Sequence, residues 1–596
     1  MTCLISNGKL VGRPDGVVFE WCVELSLLFV SMNRMSIWVF RINGERIYSI
    51  NNRAPIVSLT FLHNGTMFAV NGTDNVIKVY DSNTGKSIGI IGGVDVDFRG
   101  ISCMNWVSVG GEISVPLTPF HIDVMSQMPK LHEESDVSDL NTLVVLDSQR
   151  VYFNFNNVFT IAYGIPNDDV GLIKHIGSVS ITNNLFLTSK GQVVDINLQD
   201  NDDNMVYTLK KVIGWSCLLV SLHRMVHEQL ELMYHEIKAF LVLFDRYLSN
   251  MENPVQLYHI LLTNRVPLES HDYWFNVLGE GGLKRLRKQG ETAYETIRNK
   301  LFYLTTILDR MVIIMSRMKG LYLCHRDEID YGLENIIDLT EYTQNMIKYL
   351  YQLLHQCNKE QEMFISFLNW VKTVIIDENE GKSFDYLSLV EYFNDGLYNP
   401  TISKYFKVDD LEAMKKNELA IDILSYSEAF LVDLKAKLLA NISKAFTDKL
   451  QITSPISLDI GEVLDPDFVL TSTWHNEFGY VIVMNGSYLT MVQFPLFGSI
   501  EIKQKSLPIN FNLIEYKLDS KFTYMLYEID GIYKMDVVDI NKAISCSEED
   551  KFPRTSIGQV QMISKPEMIA VKSGLCGILD GDRQTYVFVR DQQFRV

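Results

Sequence analysis

Residues 55–91 read PIVSLTFLHNGTMFAVNGTDNVIKVYDSNTGKSIGII. Apolar and polar residues alternate up to Phe61, and a second apolar run follows the Asn64-Gly65 pair. A third run, Ile77–Asp81, comes after the turn signal Gly-Thr-Asp-Asn. Period-two alternation between such turns is typical of short antiparallel strands. The segment therefore predicts one small antiparallel sheet.

The same pattern occurs once more, one repeat earlier in the chain. Residues 37–41 match residues 77–81 at a spacing of 40 residues, with apolar residues at equivalent places. The pair Tyr80-Asp81 stands where a WD repeat has Trp-Asp at the end of its last inner strand. A spacing of about 40 to 45 residues is typical of four-stranded propeller blades. The repeat predicts a WD40-type β-propeller.

Length and composition limit the classes of protein to consider. The chain has 596 residues, more than one hydrophobic core normally holds, so we expect two or three domains. Hydrophobic residues make up 47%, which favours folded domains over disorder. The net charge of -19 would repel a nucleic-acid backbone. We expect no nucleic-acid partner.

The cysteines and the hydropathy pattern indicate an intracellular protein. The eight cysteines include no Cys-x-x-Cys pair and lie mostly in apolar runs, as reduced thiols do. The sequence shows neither a signal peptide nor an apolar stretch long enough for a membrane span. We therefore expect a soluble protein with no membrane partner.

Hydrophobic periodicity changes to three and four in the middle of the chain. One register runs from Trp215 to Leu248, and a second runs from Tyr294 to Met318, where we expect Gly320 to end the helix. Further amphipathic stretches cover 333–357, 364–376 and 419–446, with shorter helices expected around 258–278. Since apolar stripes must be buried against each other, the pattern predicts an antiparallel bundle of four long helices.

Strand patterning returns after the helices. Residues 480–484 and 488–494 are predicted to pair, and residues 521–528 pair with 532–538 about Asp530-Gly531. Neither strand-rich segment is long enough to form a closed ring, and closure removes exposed sheet edges. The fold class expected is multidomain β plus α, a seven-bladed WD40-type propeller interrupted by a long antiparallel helical bundle. The expected domains are the N-terminal segment of the propeller, residues 1–204, the bundle, residues 205–452, and the C-terminal segment of the propeller, residues 453–596.

Motifs of catalysis or metal binding are weak. His223, His227 and Glu231 are spaced like ligands on one helix face, but the zinc motif His-Glu-x-x-His is absent, so we expect a polar face. The glycines at 279–282 lack the strand that precedes a phosphate loop and are expected in a loop between helices. We expect no enzyme activity, no cofactor and no metal.

One local cluster is a candidate docking surface for a partner protein. A basic run follows three consecutive aromatic residues in an otherwise acidic chain. A solvated basic helix start with its aromatic residues buried in the bundle is the alternative. The candidate docking residues are Tyr273, Trp274, Phe275, Lys284, Arg285, Arg287 and Lys288.

Several short motifs resemble those of one known family, that of subunit 4 of the anaphase-promoting complex. Residues 101–106 resemble its strand ending in Cys-Met-x-Trp, and residues 128–131 resemble its Leu-Pro-x-Leu segment. Residues 274–294 are similar to the start of its helical domain, and residues 571–580 to its closing strand pair. Degenerate Trp-Asp positions and a shorter length are the departures from the family pattern.

The resemblance implies a noncatalytic scaffold subunit of the anaphase-promoting complex, or cyclosome, a cell-cycle ubiquitin ligase. It implies that the chain bridges the largest platform subunit, the fifth subunit and the cullin-like and RING subunits, which carry out catalysis. It also implies a location in the nucleus and cytoplasm.

Two other classes of protein remain open. Vesicle-coat and nuclear-pore components also combine propellers with helices, although their helical solenoid usually follows the propeller. An unrecognised hydrolase at the mouth of the propeller would need convergent polar groups.

Overall fold

The computed structural model contains two compact units, which are described separately. It describes residues 2–22, 24–92, 96, 98–109, 140–147, 149–165, 171–180, 183–198, 203–248, 254–324, 332–376, 384–397, 405–406, 422–447, 450–452, 456–458, 469–475, 478–485, 488–495, 502–508, 511–519, 522–545, 554–559, 566–572, 575–582 and 585–591. Residues 125–139, which include the motif 128–131, lie outside the described residues.

The first unit holds seven antiparallel sheets among the described residues, each one blade of a propeller. Blade 1 contains β2 (Pro14–Cys22), β3 (Leu27–Met32), β4 (Ser36–Arg41) and β5 (Arg46–Asn51). Blade 2 contains β6 (Ile56–Phe61), β7 (Met67–Gly72), β8 (Ile77–Asp81) and β9 (Ser87–Ile91). Blade 3 contains β10 (Ile101–Val109), β11 (Leu140–Asp147), β12 (Arg150–Phe155) and β13 (Phe159–Gly164).

The other four blades include the C-terminal strands and one strand from the N-terminus. They contain β14 (Leu172–Ser180), β15 (Asn183–Thr188), β16 (Gln192–Leu198), β17 (Leu450–Ile452) and β18 (Ile456–Ser457) in blade 4; β19 (Val469–His475), β20 (Phe478–Asn485), β21 (Tyr488–Pro495) and β22 (Lys503–Pro508) in blade 5; β23 (Asn512–Asp519), β24 (Phe522–Ile529), β25 (Ile532–Asp539) and β26 (Arg554–Gln559) in blade 6; and β27 (Pro566–Lys572), β28 (Leu575–Asp580), β29 (Thr585–Asp591) and β1 (Thr2–Lys9) in blade 7.

The predicted repeat corresponds to the third strands of blades 1 and 2. Ile77 and Val79 of β8 are buried, as are the equivalent residues of β4. Tyr80, at the position of the WD tryptophan, stacks on Phe68 at 5.4 Å between ring centroids. The hairpin predicted about Asp530-Gly531 is also present, and both turn residues have positive φ, as a tight two-residue turn requires.

The seven blades form a closed ring. The innermost strands contact one another in the cyclic order β2, β6, β10, β14, β19, β23, β27 and back to β2. The N-terminal strand β1 pairs antiparallel with β29, so both ends of the chain contribute to blade 7. The prediction of a seven-bladed propeller completed by the C-terminal strands is therefore confirmed.

The helices interrupt the propeller inside blade 4. β16 precedes the helical segment and β17 follows it, yet the two strands pair antiparallel, with Ile196 opposite Ile452 and Leu198 opposite Leu450. Helix α1 begins at Asp203, and β17 lies within the range 205–452 that was expected for the bundle. The whole helical segment thus occupies the connection between two adjacent strands of one sheet.

The second unit contains four long helices. The helices that the structure describes are α1 (Asp203–Leu248), α2 (Pro254–Thr263), α3 (Gly279–Cys324), α4 (Leu333–Ile376), α5 (Tyr386–Glu391) and α6 (Ile423–Thr447), with α7 (Ile540–Ser545) in the propeller unit. A 3-10 turn at Leu268–Ser270 and π-helical turns at Tyr273–Leu278 and Tyr392–Gly396 complete the described helical segments of the bundle.

Three details of the helix prediction are wrong. Gly320 lies inside α3, because the buried Tyr322 beyond it favours another turn, which outweighs the cost of about 1 kcal/mol for a helical glycine. The glycines at 279–282 form the first turn of α3, where Gly279 has a φ of 42° after the π-helical turn. The two stretches 333–357 and 364–376 form the single helix α4.

Side-chain contacts show that neighbouring long helices are antiparallel. In each pair of helices, residue numbers rise along one helix as they fall along its neighbour. Between α3 and α4 the contacts are Arg287 with Asn369, Tyr294 with Glu360 and Met315 with Thr340. Between α1 and α3 they are Phe240 with Tyr294, Glu236 with Lys300 and Met225 with Tyr303, and between α4 and α6 they are Asn335 with Asn441, Asp338 with Lys437 and Tyr349 with Tyr426.

We expect Tyr586→Phe to lower the free energy of unfolding of the propeller by about 1 kcal/mol, the net value of one hydrogen bond. The buried Tyr586 hydroxyl donates to the Ile42 carbonyl at 3.1 Å and so links blade 7 to blade 1. Denaturant unfolding followed by tryptophan fluorescence measures the change. Tyr488→Phe, at a residue that is 52% exposed, is the control and should change stability by less than about 0.5 kcal/mol. Equal effects of the two substitutions would contradict the role of Tyr586.

Candidate docking surface of the helical bundle

Short helical segments cover one end of the bundle. One set, 254–278, connects α1 to α3, and the other, 385–397, follows α4. The two sets touch, because the Tyr258 ring lies 5.7 Å from the Phe393 ring and its hydroxyl donates to Asn394 at 2.8 Å. We call residues 254–278 and 385–397 together the cap.

A layer of aromatic side chains fixes the cap to the long helices. Trp274 lies edge-on to Trp370 of α4 at 6.1 Å, and Trp370 also contacts Phe393 at 5.3 Å. Phe367 of α4 contacts Phe393 and Tyr392. Asp385 accepts hydrogen bonds from the backbone N–H groups of the first turn of α5 and caps that helix. Buried aromatic rings thus attach the cap to α4.

The cap exposes large apolar side chains. Among the described residues, the four most exposed large apolar side chains all lie on it, at 92%, 86%, 82% and 70% exposure. Isolated exposed leucines are ordinary, but several together mark an interaction surface. We call this set the apolar cap surface; it consists of Leu268, Leu262, Leu387 and Val255.

Sequence reasoning missed the apolar cap surface. On α2, Val255 and Leu262 are seven residues apart and share one face, while Leu257 and Ile260 are buried on another. A short helix that is apolar on both faces therefore indicated that one apolar face would remain exposed.

The three predicted aromatic docking residues differ in exposure. Trp274 is only 2% exposed and its ring packs on Trp370, which agrees with the alternative of aromatic residues buried in the bundle. Tyr273 and Phe275 are partly exposed, and Phe275 stacks on His271 at 4.4 Å. Burial raises the pKa of the Tyr273 hydroxyl.

The predicted basic residues lie on the first turns of α3, next to the cap. Lys284, Arg285 and Lys288 are exposed, whereas Arg287 is partly buried and contacts Asn369 of α4. Lys284 forms an exposed ion pair with Glu280 at 2.7 Å, a type of contact that adds little stability. These side chains therefore leave positive charge at the surface beside the cap.

The two histidines among the candidate metal ligands are hydrogen-bonded to α6. His223 Nε2 lies 2.9 Å from the Ser427 carbonyl, and His227 Nδ1 lies 3.3 Å from the Ser427 hydroxyl. Glu231 lies 3.5 Å from His227 Nε2, and no metal-binding group of three ligands is found among the described residues. The expected polar helix face is wrong for His223, which is fully buried.

Charged groups also lie on the inner strands of the propeller. Lys517 of β23 forms an ion pair with Glu20 of β2 at 2.8 Å, and burial raises the pKa of Glu515 to about 7. Burial also raises the pKa of the Cys103 thiol on β10, which keeps it protonated and disfavours nucleophilic attack. Lys517 and Glu20 thus form a charge pair between two inner strands.

The fold and the cap define a class of protein, a WD40 β-propeller that carries an inserted helical bundle with an apolar end surface. Residues 19–109 match the family described as anaphase-promoting complex subunit 4 WD40 domain. Residues 193–380 match the family described as anaphase-promoting complex, cyclosome, subunit 4. Two separate segments of the chain, one in the propeller and one in the bundle, thus match models of the anaphase-promoting complex subunit 4 family.

Solved structures give weaker similarities. The Cps50 (Swd1) β-propeller domain of Myceliophteria thermophila aligns with 99% of this chain and 99% of its own, at 5% identity and a TM-score of 0.39. KlHsv2 with loop 6CD replaced by a Gly-Ser linker aligns with 32% of this chain and 55% of its own, at 17% identity and a TM-score of 0.23. BBS1N in complex with ARL6DN aligns with 27% of this chain and 43% of its own, at 17% identity and a TM-score of 0.20.

The alignments with KlHsv2 and BBS1N thus span about half the length of those chains. No curated protein sequence matches this chain. Among the described residues, no helix has the length and apolar character needed to cross a membrane.

We expect Trp274→Ala to destabilise the bundle by about 3–5 kcal/mol, because a fully packed indole is removed from between α4 and the cap. Urea unfolding followed by far-UV circular dichroism measures the helical transition. Leu268→Ala on the same cap removes an exposed side chain and should change the free energy of unfolding by less than about 0.5 kcal/mol. A small effect of Trp274→Ala would show that the aromatic layer does not anchor the cap.

We expect the bundle to lose stability as the pH falls from about 6.5 towards 4. Burial lowers the pKa of His223 to about 4, so the unfolded chain takes up a proton at a higher pH than the folded chain does. The stabilisation is therefore complete above the unfolded pKa and falls by up to about 3 kcal/mol as the pH drops through this window.

Unfolding measured between pH 7 and 4.5 tests this pH dependence. His223→Gln keeps a donor for the Ser427 carbonyl and should flatten the slope, whereas His259→Gln on the exposed face of α2 should leave it unchanged. An unchanged slope in His223→Gln would assign the effect to other groups.

Proposed function

We propose that this chain is a noncatalytic scaffold subunit of the anaphase-promoting complex, or cyclosome, a cell-cycle ubiquitin ligase. The observation that carries the proposal is the pair of family matches, one in the propeller and one that includes most of the bundle. The proposed partners are the largest platform subunit, the fifth subunit and the cullin-like and RING subunits, which carry out ubiquitin transfer. The proposed location is the nucleus and cytoplasm.

The proposed organisation assigns residues 1–204 and 453–596 to the two segments of one propeller and residues 205–452 to the inserted bundle. A ring without free ends and a bundle with an aromatic core are both rigid units. Rigid units suit a scaffold, because binding then requires little ordering of the chain. Neither the family matches nor the inner charge pair supports catalysis by this chain.

The apolar cap surface is the proposed centre of one docking site. Removing a leucine side chain from water contributes about 1.5–3 kcal/mol, so the four exposed apolar side chains of the cap offer a substantial share of a binding free energy. Protein interfaces commonly place apolar residues at the centre and polar residues at the rim.

The sequence-predicted residues supply the proposed rim of this site. Positive charge there would speed association with an acidic partner and fix its orientation. The proposed rim residues are Tyr273, Phe275, Lys284, Arg285, Arg287 and Lys288.

The direct test is affinity purification of the tagged full-length chain from dividing cells, followed by mass spectrometry. We expect a cullin subunit, a RING subunit and other platform subunits to copurify. If neither a cullin nor a RING subunit copurifies, the proposed function is wrong.

The double variant Leu262→Asp/Leu268→Asp tests the cap. We expect it to lower the copurified amount of at least one subunit tenfold or more, because it buries two charges in the proposed interface. Val432→Asp is the matched control, since Val432 is 65% exposed on α6, away from the cap. Equal recovery of every subunit with both variants would remove the cap from the proposal without affecting membership of the complex.

A further inference from the structure

Within the part of the chain that the structure describes, the outer strand of blade 2 has one unpaired edge. The sheet order of this blade is β6, β7, β8, β9, and β9 pairs only with β8 among the strands that the structure describes. A free strand edge presents a row of backbone N–H and C=O groups. Such a row is a template for a further strand.

The side chains of β9 leave this edge unprotected. Ile88 and Ile90 are 44% and 63% exposed, and the strand Ser87–Ile91 contains no charged residue. Proteins usually guard free edges with lysine, proline or bulges. Blade 5 shows this protection, since its outer strand carries Lys503 and Lys505.

Blade 1 offers the closest internal comparison. Its outer strand β5 carries Arg46 and exposes Ile47. The next exposed position on the same face is Ser49 in β5, and the equivalent position in β9 is Ile90. Among the outer strands with described side chains, β9 alone exposes two large apolar residues. The difference between blades 1 and 2 therefore lies in the side chains on an otherwise equivalent edge.

The ring itself already adds strands from distant regions of the chain. β1 pairs with β29, and β17 pairs with β16 across the whole helical segment. In both cases backbone hydrogen bonds supply the attraction and alternate side chains supply the register. The same chemistry is available at β9.

We propose that β9 binds an extended segment of a partner protein by β-strand addition. The segment supplies its own backbone donors and acceptors to the free edge and has apolar residues at every second position, which pack on Ile88 and Ile90. The partner is a strand rather than a helix, because only an extended backbone satisfies the free edge. This inference does not depend on the proposed function.

A photo-crosslinking residue at position 90 of the full-length chain tests the inference in living cells. We expect an adduct whose crosslinked peptide, mapped by mass spectrometry, is one segment with apolar residues at alternate positions. The crosslinker at position 49 is the matched control and should give at least tenfold less of that adduct. No adduct at position 90, or adducts spread over many unrelated peptides, would overturn the proposal.

Hydrogen exchange supplies the second readout. In the chain purified with its bound partner, the backbone amides of β9 should exchange about tenfold or more slowly than in the chain alone, and those of β5 should not change. Ile90→Lys should abolish both the protection and the adduct formed from position 88, whereas Ser49→Lys should leave both intact.

Thermal unfolding should give the same Tm for the two lysine variants, because both side chains are exposed. Equal protection in the two variants would overturn the proposal, as would an adduct only to a second copy of this chain. Copurification of a cullin is measured in a separate experiment, so the absence of strand addition at β9 would not contradict the proposed function.

Discussion

The pairing of strands that are distant in sequence is the constraint on which the propeller depends. β1 completes blade 7 from the other end of the chain, and β17 completes blade 4 after the helical segment. Without these strands, two blades would present free edges on their third strands. The Tyr586 hydroxyl and the ion pair between Glu20 and Lys517 add links across the joint between the last blades and the first. Ring closure is thus a property of backbone pairing, reinforced by a few polar contacts.

The bundle is held by a different kind of contact. Phe240, Tyr294 and Phe364 from three long helices meet with centroids less than 6 Å apart, and a second aromatic layer lies beneath the cap. Edge-to-face aromatic pairs add directional packing to the burial of large apolar area. Because the cap is fixed by this buried layer, its outer leucines are held at the surface rather than folded inward.

Most of the fold could be predicted from local patterns. Period-two runs, Asn-Gly and Asp-Gly turns, and the 40-residue spacing are local signals, and the ring required only the further argument that sheet edges must close. The sequence left open whether Trp274 is buried or contacts a partner, because its neighbour Trp370 is almost a hundred residues away and no local pattern links them. The continuity of α3 through Gly320 likewise depends on tertiary burial of Tyr322, which overrides the propensity of glycine.

The candidate site was predicted only partially. The basic residues of α3 were visible as a run of charge in an acidic chain, and the structure places three of them at the surface. Leu262, Leu268 and Leu387 were missed, because an exposed leucine and a buried one look the same in a short segment, and only the two apolar faces of α2 gave a signal, for Leu262. His223 shows the reverse case, since its spacing suggested a ligand while its surroundings make it a buried hydrogen-bond donor.

The place of the insertion, between two paired strands, sets a rule of parity for the helical domain. The chain must return to β17 beside the strand it left, and antiparallel long helices bring it back only when their number is even. An odd number would leave the chain one helix length away, about 70 Å for a helix of 46 residues. Helices of this domain can therefore be lengthened or exchanged in pairs during evolution, whereas gain or loss of a single long helix would require a connection that spans this distance before the ring could close.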